Sequence, residues 1–166
     1  PSMPEIKAPR VAIRLAGGSF DARTADASVV LPGARRDMTI AFKTARYTVA
    51  GVFSNDPVAE AAFAWDAPLP AMASLLSHKG VGLLPQERAR TIVAGRTTGQ
   101  LKLRLPPSNS ADWENQIVPT GNAQIVDGRI RAAELPYEVA GLKAGVTIGA
   151  RAIEAKGNFL IGGVPA

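Results

Sequence analysis

The chain has 166 residues, 46% hydrophobic and 20% charged, a balance that excludes a disordered or collagen-like polymer. Its 16 glycines and 13 prolines against 5% aromatics punctuate the chain too often for a helical bundle and suit many short strands. With no cysteine and one histidine, thiol catalysis, disulfide frameworks, iron–sulfur clusters and most zinc sites and histidine triads are excluded, while the net charge of +5 is scattered, Arg35-Arg36 being the longest basic run.

In chain order, Val11, Ile13 and Leu15 alternate with Ala12, Arg14 and Ala16, which predicts a strand closed by a turn at Gly17-Gly18. Further strands are predicted at 27–31, at Met38, Ile40 and Phe42, at Tyr47 and Val49, and at Ala61, Phe63 and Trp65. Each has one apolar and one wetter face. Leu69, Met72, Leu75 and Leu76 fall instead on one stripe of a helix, with Pro68 at its start and Gly80 as its stop. A second helical turn follows Pro85, so residues 68–92 read as a helical insertion that needs the sheet for support.

Strands resume after Gly95. Leu101, Leu103 and Leu105 alternate with Gln100, Lys102 and Arg104 until Pro106-Pro107 ends the run, and 108–114 reads as a polar loop. Ala123 and Ile125 lead to Asp127-Gly128, the strongest short hairpin signal in the chain, with Ile130 on the return strand. Strands at 137–140, 146–148, 151–155 and 158–161 complete the series. Hairpin after hairpin implies an antiparallel meander. It can close into a barrel, pack as a sandwich or stay an open curved sheet, and periodicity leaves all three open.

Catalytic chemistry is not assembled by these residues. His78 stands beside Lys79 at the end of the predicted helix, where a cation is favoured by the helix dipole, and this reads as a cap. Asp112 and Glu114 share a loop but make a weak metal site, and Gly17-Gly18 lacks a phosphate-binding lysine. Trp65 reads as core, and Trp113 as a candidate anchor at a membrane interface. Aromatics are not interleaved with the basic residues, which argues against a nucleic-acid partner. The expectation is a protein that is not an enzyme and takes no cofactor or metal. No run reaches the length of a membrane-spanning helix, and the opening Pro1-Ser2-Met3-Pro4 reads as that of an excised piece.

Three stretches carry a family resemblance. The first is Ala62-Phe63-Ala64-Trp65-Asp66-Ala67-Pro68, followed by Leu75-Leu76-Ser77-His78-Lys79-Gly80 and Leu83-Leu84-Pro85. The second runs from Gly99 through Leu101, Leu103 and Leu105 to Pro106. The third is Gly157-Asn158-Phe159-Leu160-Ile161-Gly162-Gly163-Val164-Pro165-Ala166, with Asp127-Gly128-Arg129-Ile130 upstream. Together they resemble the central repeat region of the AsmA-like bacterial envelope proteins, the YhdP-type members in particular. The likeness covers about the last two thirds of the chain well and the first third loosely. It departs from the family in length and in having no anchor helix, as an internal fragment would.

The resemblance implies a mainly β protein whose antiparallel meander forms an open, curved, elongated, groove-like sheet with one or two short helices. The chain (1–166) would be one β-rich segment of a longer repeat protein in the periplasm, anchored in the inner membrane, whose partner is phospholipid. Membrane contact would come through parts of the parent chain that are missing here, and the open sheet edges would allow self-association. The expected lipid-facing residues are Val11, Ile13, Leu15, Ile40, Phe42, Val49, Phe63, Leu101, Leu103, Leu105, Ile125, Val146, Ile148 and Ile161. The helix carrying Leu69, Met72, Leu75 and Leu76 would gate them. The competing expectations are a closed β-sandwich or barrel, serving as an assembly module of a phage or secretion machine, and a basic module for anionic polymers.

Overall fold

Alternating runs that read as separate short strands join in space into long ones. A computed structural model describes residues 5–31, 38–78, 83–106, 116–133, 136–150 and 152–165. Its strands are β1 (Ile6–Lys7), β2 (Ala12–Ala16), β3 (Ser19–Leu31), β4 (Met38–Ala50) and β5 (Val58–Pro68). The helices α1 (Leu69–Leu76) and α2 (Gln86–Thr91) follow, and then β6 (Ile92–Leu105), β7 (Val118–Ile130), β8 (Val139–Ile148), β9 (Ile153–Ile161) and β10 (Val164–Pro165). All pair antiparallel in one sheet ordered β1-β3-β4-β5-β6-β7-β8-β9-β10, with β2 also on β3. The sheet does not close on itself, so the barrel and sandwich alternatives are not what this chain forms. Among the described residues, no helix is long and apolar enough to cross a membrane.

Bulges explain why the sequence reads as more and shorter strands. In β4 the register against β5 shifts between Phe42 and Thr44, which leaves Lys43 as an extra residue. Beside it in β3, Asp26 adopts a left-handed φ of 58°. A bulge changes the phase of alternation without ending the strand, so Ile40 and Phe42 share a face with Tyr47 and Val49 although their spacing is odd.

Asp127-Gly128 requires a correction. It does not make the predicted hairpin, because β7 runs straight through it, with register shifts against both neighbours. Asp127 has the left-handed φ, 52°, that the dipeptide favours, but uses it in a bulge. Across the ladder Gly95 has a φ of 116°, and a Cβ there would lie 2.7 Å from Gly128 Cα. The two backbones touch where side chains would separate them.

Both short helices lie between β5 and β6, with Pro68 as N-cap of α1 and Ser77 N–H donating to Ala73 O at 3.0 Å. Gly80 and the loop 108–114, with Asp112, Trp113 and Glu114, lie outside the described residues. Helix α1 buries Leu69 and Met72 of the predicted stripe and packs Leu75 and Leu76, half-buried, against the core. It also buries Ala71 and Ala73, small side chains that let the helix approach the sheet. Beneath it lie Ala27, Val29, Leu31, Ile40, Phe42, Trp65 and Ala67.

The core is small for the chain. The accessible surface is 11140 Å², against about 7800 Å² for a compact monomer of this mass. Trp65 is 6% exposed, as a core residue should be, and its indole N–H donates to Thr97 Oγ1 at 3.4 Å. It lies over Gly99, where a Cβ would come within 2.5 Å of Trp65 Cζ2 and of Asn122 O. Gly99→Ala should therefore lower stability by about 1–3 kcal/mol and red-shift the tryptophan emission. Gly145→Ala, whose Cβ would meet only the Gln124 side chain at 3.4 Å, should cost under about 1 kcal/mol, and urea titration of the two variants measures both costs.

Candidate functional site

Directly opposed residues of an antiparallel pair share a face of the sheet, so the register assigns every strand residue to one of two surfaces. One row reads Leu15, Phe20, Val49, Ala59, Leu105. The next reads Ile13, Ala22, Tyr47, Ala61, Leu103, Pro119. A third passes from Thr24 through Ala45, Phe63, Leu101, Gly121 and Ile148 to Ile153. A fourth holds Ala27, Phe42, Trp65, Gly99, Ala123, Val146 and Ala155. None of these rows contains a charged side chain. Apolar surface therefore runs across the hydrogen-bonding direction from β2 to β9.

The register puts the expected lipid-facing residues that lie in strands on this face, and the full set falls in four different environments. Ile40, 0% exposed, and Phe42 belong to the core under α1 and are covered by the helix in this arrangement. Phe63, Leu101 and Val146 are half-buried at the margin of that core. Val49, Leu103, Leu105, Ile125 and Ile148 are half-buried beyond it. Val11, Ile13, Leu15 and Ile161 are exposed, Ile13 at 66% and Leu15 at 61%. Helix α1 packs on β3, β4, β5 and β6 over one end of the face only. The other end, with Ile13, Leu15, Tyr47 and Ile153, is open.

The opposite face is polar and ion-paired. Asp21 bonds Arg46 and, at 3.3 Å, Arg23. Glu60 meets Lys102 at 2.8 Å, and Asp66 meets Arg96 at 2.5 Å and Lys43 at 3.7 Å. Glu138 holds Arg131 at 2.6 Å and Arg129 at 2.9 Å. The hydrogen bond from Arg46 holds the Asp21 carboxyl below the usual carboxylate range, and that from Arg96 does the same for Asp66. The bond to Asp21 in turn raises Arg46.

One feature of this face was not anticipated from sequence. A cavity of about 840 Å³ opens over Ala12, Ala25, Ala62 and Ala64, with Arg23, Arg46 and Lys102 around it. Its only sequence signal is alanine at outward-facing strand positions where larger polar residues would fill the space. Among the described residues no cluster of three potential metal ligands occurs. His78 follows α1 by two residues, its backbone N–H donating to Leu75 O at 3.1 Å. No family model matches the chain, and no curated protein or solved structure gives a significant match.

The acid sensitivity of the fold follows from the polar face. A carboxyl whose folded pKa lies below its unfolded value of 3.8 contributes stability above that value, and the contribution is lost as pH falls through the folded pKa. Thermal melts should show a midpoint that is flat down to about pH 5 and falls below about pH 4. In Asp21→Asn/Asp66→Asn the midpoint at neutral pH should be slightly lower and the acid fall shallower. An unchanged acid fall would assign it to other groups.

Proposed function

We propose that this chain is a segment of a bridge-like lipid-transfer protein, whose apolar face shields phospholipid acyl chains between the inner and outer membranes. The observation that carries the reading is the uncharged face that runs from β2 to β9 and stays uncovered beyond α1. An acyl chain of sixteen carbons crossing bare water costs on the order of 12 kcal/mol at about 0.8 kcal/mol per CH₂. A strand face that is apolar along its whole width lowers that cost and needs no catalytic group. The head group stays in water at the rim. In this reading the protein works in the periplasm, and α1 is the gate: it occupies the end of the face at Ile40 and Phe42, and acyl chains compete with Leu69, Met72, Leu75 and Leu76 for that surface.

The open half supplies the test. Leu103 sits half-buried between Ala61 and Pro119 on the apolar face. Leu103→Arg should leave the fold standing, because a long side chain reaches water from an open surface. It should also abolish crosslinking between acyl chains and a photoreactive residue at Leu101. Thr147→Arg, on the polar face of β8, should change neither the melt nor the crosslink. A folded Leu103→Arg variant that crosslinks as well as the wild type would remove this face from the lipid path.

A further inference from the structure

The structure carries a second inference, independent of whether the apolar face binds lipid. Strands β2 to β9 number eight and alternate in direction, so β2 and β9 are antiparallel to each other. A second copy, placed in the same orientation with the same face up, therefore brings its β2 antiparallel to the β9 of the first. Among the described residues both outer edges lack a neighbour there: β2 pairs only with β3, and β10 covers β9 only at Leu160 and Ile161. We propose that copies of this chain associate head to tail by pairing β2 of one with β9 of the next.

Backbone geometry fixes which groups are available. Gly17-Gly18 and Gly162-Gly163 all have positive φ, the pattern of two-residue type I′ turns. In such a turn the flanking residues exchange both hydrogen bonds, here Ala16 with Ser19 and Ile161 with Val164. Counting by twos, Ala12, Arg14 and Ala16 bond inward to β3, while the N–H and C=O groups of Val11, Ile13 and Leu15 point outward. Along β9 the outward groups are those of Ile153, Ala155 and Gly157.

Side chains then choose the register. Leu15 opposite Ile153 sets Ile13 opposite Ala155 and Val11 opposite Gly157, which keeps apolar residues together on the apolar face. On the polar face the same register sets Arg14 opposite Glu154. Both are exposed, and neither has an ion-pair partner among the described residues. Sliding by two residues one way sets Arg14 against Lys156, and the other way against Ala152. Pro9, which has no N–H, falls opposite Phe159 and ends the ladder. Beyond it Lys7 and Ala8 of the second copy fall on the rungs at Ile161 and Leu160 that β10 occupies, so joining displaces one of the two-residue strands β1 and β10. Ile13 and Ile153, 66% and 62% exposed, become neighbours one rung apart across the joint, and the apolar face continues from one copy to the next.

Such a contact is heterologous, and each joint leaves one free β2 and one free β9, so growth continues past a dimer. In sedimentation velocity without lipid or detergent, the average mass of the wild-type chain should rise with concentration past that of a dimer. Arg14→Glu alone and Glu154→Arg alone should each weaken association about tenfold, because each sets like charges opposite across the joint. Mixing the two variants should restore association, since each then meets an opposite charge, and circular dichroism should show both folded. A wild-type chain that stays monomeric, or an Arg14→Glu variant that associates as before, would overturn the proposal. Association that stops at a dimer and resists both changes would point to a symmetric contact instead.

Discussion

One face of an antiparallel sheet has to be kept from water, and over this eight-strand face the described residues place one helix of eight residues and a shorter one beside it. That mismatch governs the rest of the structure. Where α1 lies, Ile40, Val29 and Ala67 lose nearly all contact with water, and Trp65 finds a hydrogen-bond partner. Where it does not, Ile13, Leu15 and Tyr47 stay in solvent. At about 25 cal/mol per Å², surface of this kind is a standing cost to the folded chain unless something covers it. Both proposals above name a cover, an acyl chain for the face and a second copy for its edges.

The polar face explains how so much apolar surface stays on one side. A slip of one residue in any strand pair would turn its apolar set outward. The pairs Asp21–Arg46, Glu60–Lys102 and Asp66–Arg96 each link neighbouring strands on the face away from the apolar rows. Exposed pairs contribute little stability individually. Their effect here is on register, because a slipped strand would bring its charges onto the apolar rows. The bulges at Lys43 and at Gly128 act in the same direction, since they let long strands bend without exchanging faces.

What the sequence made legible follows from this division. Val11, Ile13 and Leu15, or Leu101, Leu103 and Leu105, hold an unbroken period of two, and their face could be read directly. Leu69 and Met72 marked α1, because a stripe with helical spacing stands out between strands. Two kinds of information were hidden. Alternation is a local signal, so the phase change at Lys43 made one strand look like two, and Asp127-Gly128 offered the same left-handed backbone to a hairpin and to a bulge. Whether a residue such as Ile40 faces a helix or solvent depends on where α1 lands, and no spacing within β4 records that. The alanine-floored cavity was invisible for a related reason: Ala62 and Ala64 are unremarkable in a strand, and matter only because Arg46 and Lys102 stand on either side.

The central claim is that the open apolar face holds acyl chains, and native mass spectrometry of the chain tests it most directly. The chain would be purified without detergent and incubated with vesicles of phosphatidylethanolamine and phosphatidylglycerol. The account predicts a folded chain carrying adducts of whole phospholipid masses, released when the gas-phase collision energy is raised. A folded chain that stays bare at every vesicle concentration would contradict it.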